Sequence, residues 1–155
     1  MIKTTVIDNW LEPDLADYVS TYLLNDINYF VSKSSFDALD TSVILEGIIP
    51  NNPLIQYLFY KINKIKNVNI LRYYSNLQYA NMNGDFHSDK GDITFLYMSS
   101  KNLNTDEGHF EIKDEEKIQY KFNRLIYFHA PKLHKGHGPI QMIPRITLAF
   151  KTKII

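Results

Sequence analysis

A chain of 155 residues with 17 Lys plus Arg, 17 Asp plus Glu and no Cys has room for one domain with a substantial core. It carries no net field to recruit nucleic acid or an anionic membrane, and the missing thiol excludes disulfides, thiolate metal sites and cysteine nucleophiles together. No run approaches the roughly 18 apolar residues of a spanning helix and none follows Lys3 at the start, so the expectation is a soluble, cytoplasmic protein.

In chain order, residues 3–7 read as a short strand. Pro13 then suits the first turn of a helix, Asp14 and Asp17 complement its dipole, and Leu15, Tyr18, Val19, Tyr22 and Leu23 recur at helical spacing, which predicts a helix over 13–24. A short strand is expected at 29–33 and a polar loop at 34–41, while 41–49 is β-branched without clean alternation. Asn51 and Asn52 can cap a second helix over 53–65, where Leu54, Leu58, Ile62 and Ile65 form a stripe. Both stripes read as core packing.

From Val68 the texture changes. Six β-branched or aromatic runs, at 68–79, 93–98, 109–112, 117–122, 124–128 and 145–151, are separated by Gly, Asn, Asp and Pro. Short strands with regular turn signals predict an antiparallel sandwich or jelly roll, with the two helices covering one face. The 11 Tyr and nine Phe suit such half-buried surfaces. No repeat or linker divides the chain, so one domain over 1–155 is expected, with helical support about 1–66 and the β core about 67–155.

The chemistry concentrates in two stretches, 84–89 and 133–145. If His87 and Asp89 lie on a strand, alternation puts imidazole and carboxylate on one face, where they can hold one cation together. A second imidazole from a later strand would complete the site, and His134 and His137 both compete for that place. On the last run Arg145, Thr147 and Ala149 share a face, opposite Ile146, Leu148 and Phe150. A guanidinium aimed into a barrel mouth calls for an anion; its planar fork fits a carboxylate, and Thr147 can add a hydroxyl. His109 and His129, beside Phe110 and Phe128, read as structural residues of strands.

With these residues in view, the second half resembles the double-stranded β-helix (jelly roll, cupin-like) core of the Fe(II)- and 2-oxoglutarate-dependent dioxygenases, most closely the prolyl 4-hydroxylase-like branch. The resembling pieces are His87-Ser88-Asp89, the runs 94–99, 107–110 and 123–128, then His134 with Gly136 and Pro139, and the run 145–151. The start at 6–11 followed by a helix is also similar.

The resemblance implies a mainly β (α+β) fold with N-terminal helices packed on one face of the β-helix. It implies that His87, Asp89 and His134 bind Fe(II) as the catalytic centre, His134 being favoured because the pattern His-x-Gly-x-x-Pro begins there and leaving His137 as a pocket residue. Arg145 would bind the distal carboxylate of 2-oxoglutarate, with Tyr97 donating to the same group, Thr147 assisting and Tyr79 lining the pocket. Arg145 stands where many prolyl hydroxylases have Lys, which leaves the subfamily open. The implied reaction consumes O2 and 2-oxoglutarate, with ascorbate as an auxiliary reductant, hydroxylates an unactivated C–H bond, most naturally of a peptidyl proline, and releases succinate and CO2. A protein or peptide partner follows; monomer and homodimer stay open.

Two alternatives stand beside it. One is the same chemistry on a nucleobase or small molecule, for which Lys61, Lys64, Lys66 and Arg72 with Tyr73 and Tyr74 form a modest basic strip, although the zero net charge makes it read as a solvated surface. The other is a catalytically silent β-sandwich binding module. The Asn-, Ile- and Lys-rich composition is that of an AT-rich genome, a virus among the candidates.

Overall fold

Pro13 opens a helix and Asn52 caps another, and the two helices lie on one side of a sheet that the later, aromatic-rich runs build. The computed structural model describes residues 2–31, 44–103 and 106–155, and the loop expected over 34–41 lies outside them. In chain order the elements are β1 (Thr5–Ile7), α1 (Pro13–Asn25), β2 (Tyr29–Val31), β3 (Leu45–Gly47), α2 (Pro53–Ile65), β4 (Val68–Gln78), β5 (Ile93–Met98), β6 (Phe110–Ile112), β7 (Arg124–His129), β8 (His134–Gly136) and β9 (Arg145–Ile154). Seven strands pair antiparallel in the order β1-β7-β5-β9-β4-β3-β2, and β6 and β8 form a separate two-stranded ribbon. Among the described residues no helix is long and apolar enough to cross a membrane.

Alternation along the central strands splits the core in two. Ile93, Phe95 and Tyr97 of β5, Leu125 of β7 and Ile146, Leu148 and Phe150 of β9 face the helices, where Val19 and Leu23 of α1 and Leu58 and Ile62 of α2 are fully enclosed. Each such Leu or Ile contributes about 2 kcal/mol by leaving water. Leu96, Met98, Ile126, Phe128 and Ala149 point the other way, against Phe110 and Ile112 of the ribbon. The large sheet is therefore a middle layer, with helices on one face and the ribbon on the other.

Two expectations are corrected and one open stretch is resolved. Residues 117–122 form no strand, only an isolated bridge from Ile118 to Phe110, because the Tyr120 hydroxyl bonds the backbone of Ser100 and Ile146 instead of the segment pairing edge to edge. The ambiguous stretch contains β3, which pairs with β4 and β2. Tyr18, placed in the apolar stripe of the first helix, is 59% exposed and stacks on Tyr22 at the surface.

The chain's first turn is tied down by one polar side chain. Asn123, at a φ of 61° that Asn tolerates better than most residues, accepts from the Leu11 amide at 3.0 Å and donates to the Leu11 carbonyl at 2.8 Å. It also accepts from the Tyr97 hydroxyl at 3.3 Å. Asn123→Ala orphans buried backbone groups and puts a Cβ without local hydrogen bonds at positive φ, so a loss of about 3 kcal/mol is expected. Urea denaturation checks this; an unchanged midpoint would show that the clasp contributes nothing.

Candidate metal and anion site

Gly84 donates its amide to the Gly136 carbonyl at 2.9 Å, and His87 and His134 exchange amide-to-carbonyl hydrogen bonds of 3.1 and 2.9 Å, so the His87 segment lies as a bridge beside β8. That pairing brings the two imidazoles to 4.5 Å between ring centroids. Asp89 turns in beside them, its amide bonded to Ala130. The His134 Nε2 lies 3.2 Å from Asp89 Oδ2, the His87 Nε2 3.9 Å from Asp89 Oδ1, and the three ligand atoms lie within 4.8 Å of one another.

The tautomers suit a cation. His87 Nδ1 contacts the Asp85 carbonyl at 2.9 Å and His134 Nδ1 the Lys132 carbonyl at 2.7 Å. A carbonyl only accepts, so each Nδ1 carries a proton, and each Nε2 is the ring nitrogen left to a cation beside Asp89. Burial opposes ionisation of Asp89, but the hydrogen bond from His134 and the charge of Lys151 outweigh it and hold the carboxyl well below its usual range. Thr94 Oγ1 donates to Asp89 Oδ2 at 2.7 Å, and the Lys151 ammonium pairs with the same oxygen.

On the same pocket wall Arg145, Thr147, Ala149 and Lys151 line up along β9, as their alternation predicts. Arg145 is fully enclosed. Its Nε donates to the Gly108 carbonyl at 2.6 Å and its Nη1 to Gln78 Oε1 at 2.7 Å, with the guanidinium 5.3 Å from the Tyr120 ring. The Nη2 is buried with no partner among the described residues. Burial pulls the group down to about 10, which leaves it cationic at neutral pH. A buried cation with an unfilled donor needs an anion. Gly136 makes the cradle: a Cβ there would stand 3.0 Å from both Arg145 Nη1 and Gln78 Oε1. Leu96, Phe110 and Phe128 supply the apolar remainder of the wall.

The structure thus gathers His87, Asp89, His134, Arg145 and Thr147 in or beside one pocket and leaves three expected residues, Tyr97, Tyr79 and His137, outside it. Tyr97 faces the helices; on β5 it is the pocket-facing Thr94 and Leu96 that carry the opposite parity, and the Tyr97 ring packs 5.5 Å from Trp10 with its hydroxyl on Asn123. Tyr79 lies past the end of β4, 42% exposed, its amide against Met82 Sδ. His137 is three residues from His134, an odd step that puts it on the other face of the ribbon, with its Nε2 2.6 Å from Glu111 Oε2. Sequence reasoning missed Gln78, Thr94 and Lys151. Gln78 gives no signal, whereas Thr94 and Lys151 share the pocket parity of Leu96 and Arg145 and were within reach of the same argument. The basic strip disperses: Lys61 pairs with Glu12, Arg72 with Glu46, and Tyr73 and Tyr74 face opposite sides of the sheet.

No family model and no curated protein matches the chain. Solved structures do. A viral collagen prolyl hydroxylase from Paramecium Bursaria Chlorella virus-1, in a 2OG complex, superposes with a TM-score of 0.70 at 12% identity over 98% of this chain and 96% of its own. A prolyl hydroxylase from Trichoplax adhaerens, in complex with a hypoxia inducible factor peptide fragment, gives 0.66 at 15% over 96% and 83%. HygX from Streptomyces hygroscopicus, with nickel, 2-oxoglutarate and hygromycin B bound, gives 0.67 at 9% over 96% and 82%. Across nearly its whole length the chain therefore has the jelly-roll fold of the prolyl hydroxylases and other 2OG-Fe(II) oxygenases.

Proposed function

We propose that the protein is a non-haem Fe(II)- and 2-oxoglutarate-dependent oxygenase that hydroxylates an unactivated C–H bond, with a peptidyl proline as its substrate. The observation that carries the reading is the convergence of His87 Nε2, His134 Nε2 and an ionised Asp89 in the pocket where Arg145 holds an unfilled donor. Two imidazoles and one carboxylate on one face, with the opposite positions open, are the donor set of iron oxygenases, and the residues present fit it.

When bound, Fe(II) would supply the one-electron O2 chemistry that no side chain provides. The chain's own residues do the rest. The carbonyls of Asp85 and Lys132 fix both imidazole tautomers, and Thr94 holds the carboxylate plane. Arg145 receives the distal carboxylate of 2-oxoglutarate, with the Thr147 hydroxyl on the same pocket wall. Leu96, Phe110 and Phe128 exclude water, which strengthens each polar contact. Lys151 offsets the Asp89 charge. Support for a peptidyl proline comes from the prolyl hydroxylases among the structural neighbours, one of them in complex with a peptide.

Anaerobic addition of Fe(II) and 2-oxoglutarate is expected to give a weak visible charge-transfer band that needs both components. Admitting O2 should then bleach it and yield succinate. Well-folded protein that gives neither band nor succinate would overturn the reading in favour of a silent binding module, and a panel of proline-containing peptides with and without the target proline checks the substrate class.

A further inference from the structure

The ribbon carries a second constellation on its outer face. β6 and β8 pair with Phe110 opposite Gly136, Glu111 opposite Lys135 and Ile112 opposite His134, and the His137 amide extends the ladder to the His109 carbonyl at 3.0 Å. Alternation therefore sends Phe110, Ile112 and His134 inward and His109, Glu111 and His137 outward. The arrangement repeats the first site: a His-x-carboxylate step on one segment with a histidine facing it from β8 or its extension. The two outer imidazoles stack at 3.8 Å between centroids, and His109, Glu111 and His137 each offer a ligand atom within 4.8 Å of the others.

We propose that His109, Glu111 and His137 form a second metal site, for a borderline divalent cation of the zinc type, separate from the pocket. Two imidazoles and a carboxylate are three of the four ligands of a tetrahedral zinc, with water as the fourth. A second observation points to a ligand there: the His109 Nε2 is buried and has no hydrogen-bond partner among the described residues, an orphan that a cation would satisfy. The His137 Nε2 contacts Glu111 Oε2 at 2.6 Å, and binding moves that proton to Nδ1 or to solvent while both atoms turn to the ion. Lys135 approaches Glu111 only to 3.8 Å and lies 4.4 Å from the Phe86 ring centre, so it sits beside the site. Such an ion ties β6 to the extension of β8, and so braces the strand that presents His134.

Equilibrium dialysis against Zn(II) tests this. Wild-type protein should bind two ions, His87→Ala/His134→Ala one, and His109→Ala/His137→Ala one. In the His87→Ala/His134→Ala background, which lacks the pocket site, Zn(II) should raise the melting temperature in proportion to its binding. Adding Glu111→Gln, which keeps the side chain's size, should weaken that remaining ion at least about tenfold and remove the shift. The proposal is overturned if His87→Ala/His134→Ala binds no zinc, or if Glu111→Gln leaves affinity and melting shift in that background unchanged. Because the second site is read with the first one disabled, the outcome is independent of whether the pocket performs oxygenase chemistry.

Discussion

Asp89→Ala is expected to abolish succinate formation and to weaken Fe(II) binding by more than about a hundredfold, beyond what the loss of a partner outside the ligand set costs. Asp89 would be the one anion among the three proposed ligands of the pocket, and it is the acceptor for Thr94 and Lys151. Its removal leaves two neutral imidazoles to attract a dication while the Lys151 ammonium, now unpaired, repels it. The sheet should survive, because Ile93, Phe95, Leu148 and Phe150 pack on the opposite face. Circular dichroism with a metal titration separates the two effects. Turnover at the wild-type rate in well-folded Asp89→Ala would end the assignment of the ligand set.

The second large effect is expected at Arg145. Arg145→Gln should raise the Michaelis constant for 2-oxoglutarate roughly a hundredfold, the equivalent of about 2.7 kcal/mol, in the range of a charge-assisted hydrogen bond to a buried group. Fe(II) affinity without 2-oxoglutarate should change little, since none of the three ligand residues hydrogen-bonds Arg145. Arg145→Lys should recover only part of the loss. A compact ammonium cannot donate at once to Gly108, to Gln78 and to a carboxylate as the planar fork does. An unchanged Michaelis constant in Arg145→Gln would remove the anion role, leaving the buried Nη2 unexplained.

The helices, the long strands and the pocket parity of β9 were legible because each rests on a period the residues repeat: Leu58 and Ile62 on one helix face, Arg145, Thr147 and Ala149 on one strand face. Tyr97 shows how that rule fails when set aside. Implied at the cosubstrate by the resemblance alone, it stands an odd number of residues from Thr94, and the pleat sends it to the helices. β8 escaped because three residues, one of them Gly, show no period, and its pairing is set by distant partners in β6 and the His87 segment. His109, beside Phe110, reads in the sequence as a structural strand histidine, yet Glu111 stands two residues on. Only the ribbon register shows that His137 completes that group and not the pocket.

The division of labour along β9 has a consequence for how such a protein can change. Ile146, Leu148 and Phe150 hold the helices while Arg145, Thr147, Ala149 and Lys151 face the pocket, so neighbouring positions in sequence answer to different demands. Substitutions at the pocket-facing positions can retune what the site accepts with little cost to the packing behind it, and those at the other positions are constrained by volume alone. A scaffold organised in this way can drift far in sequence and diversify in chemistry while keeping its shape. The structures that superpose on this chain share its shape at 9 to 15% identity.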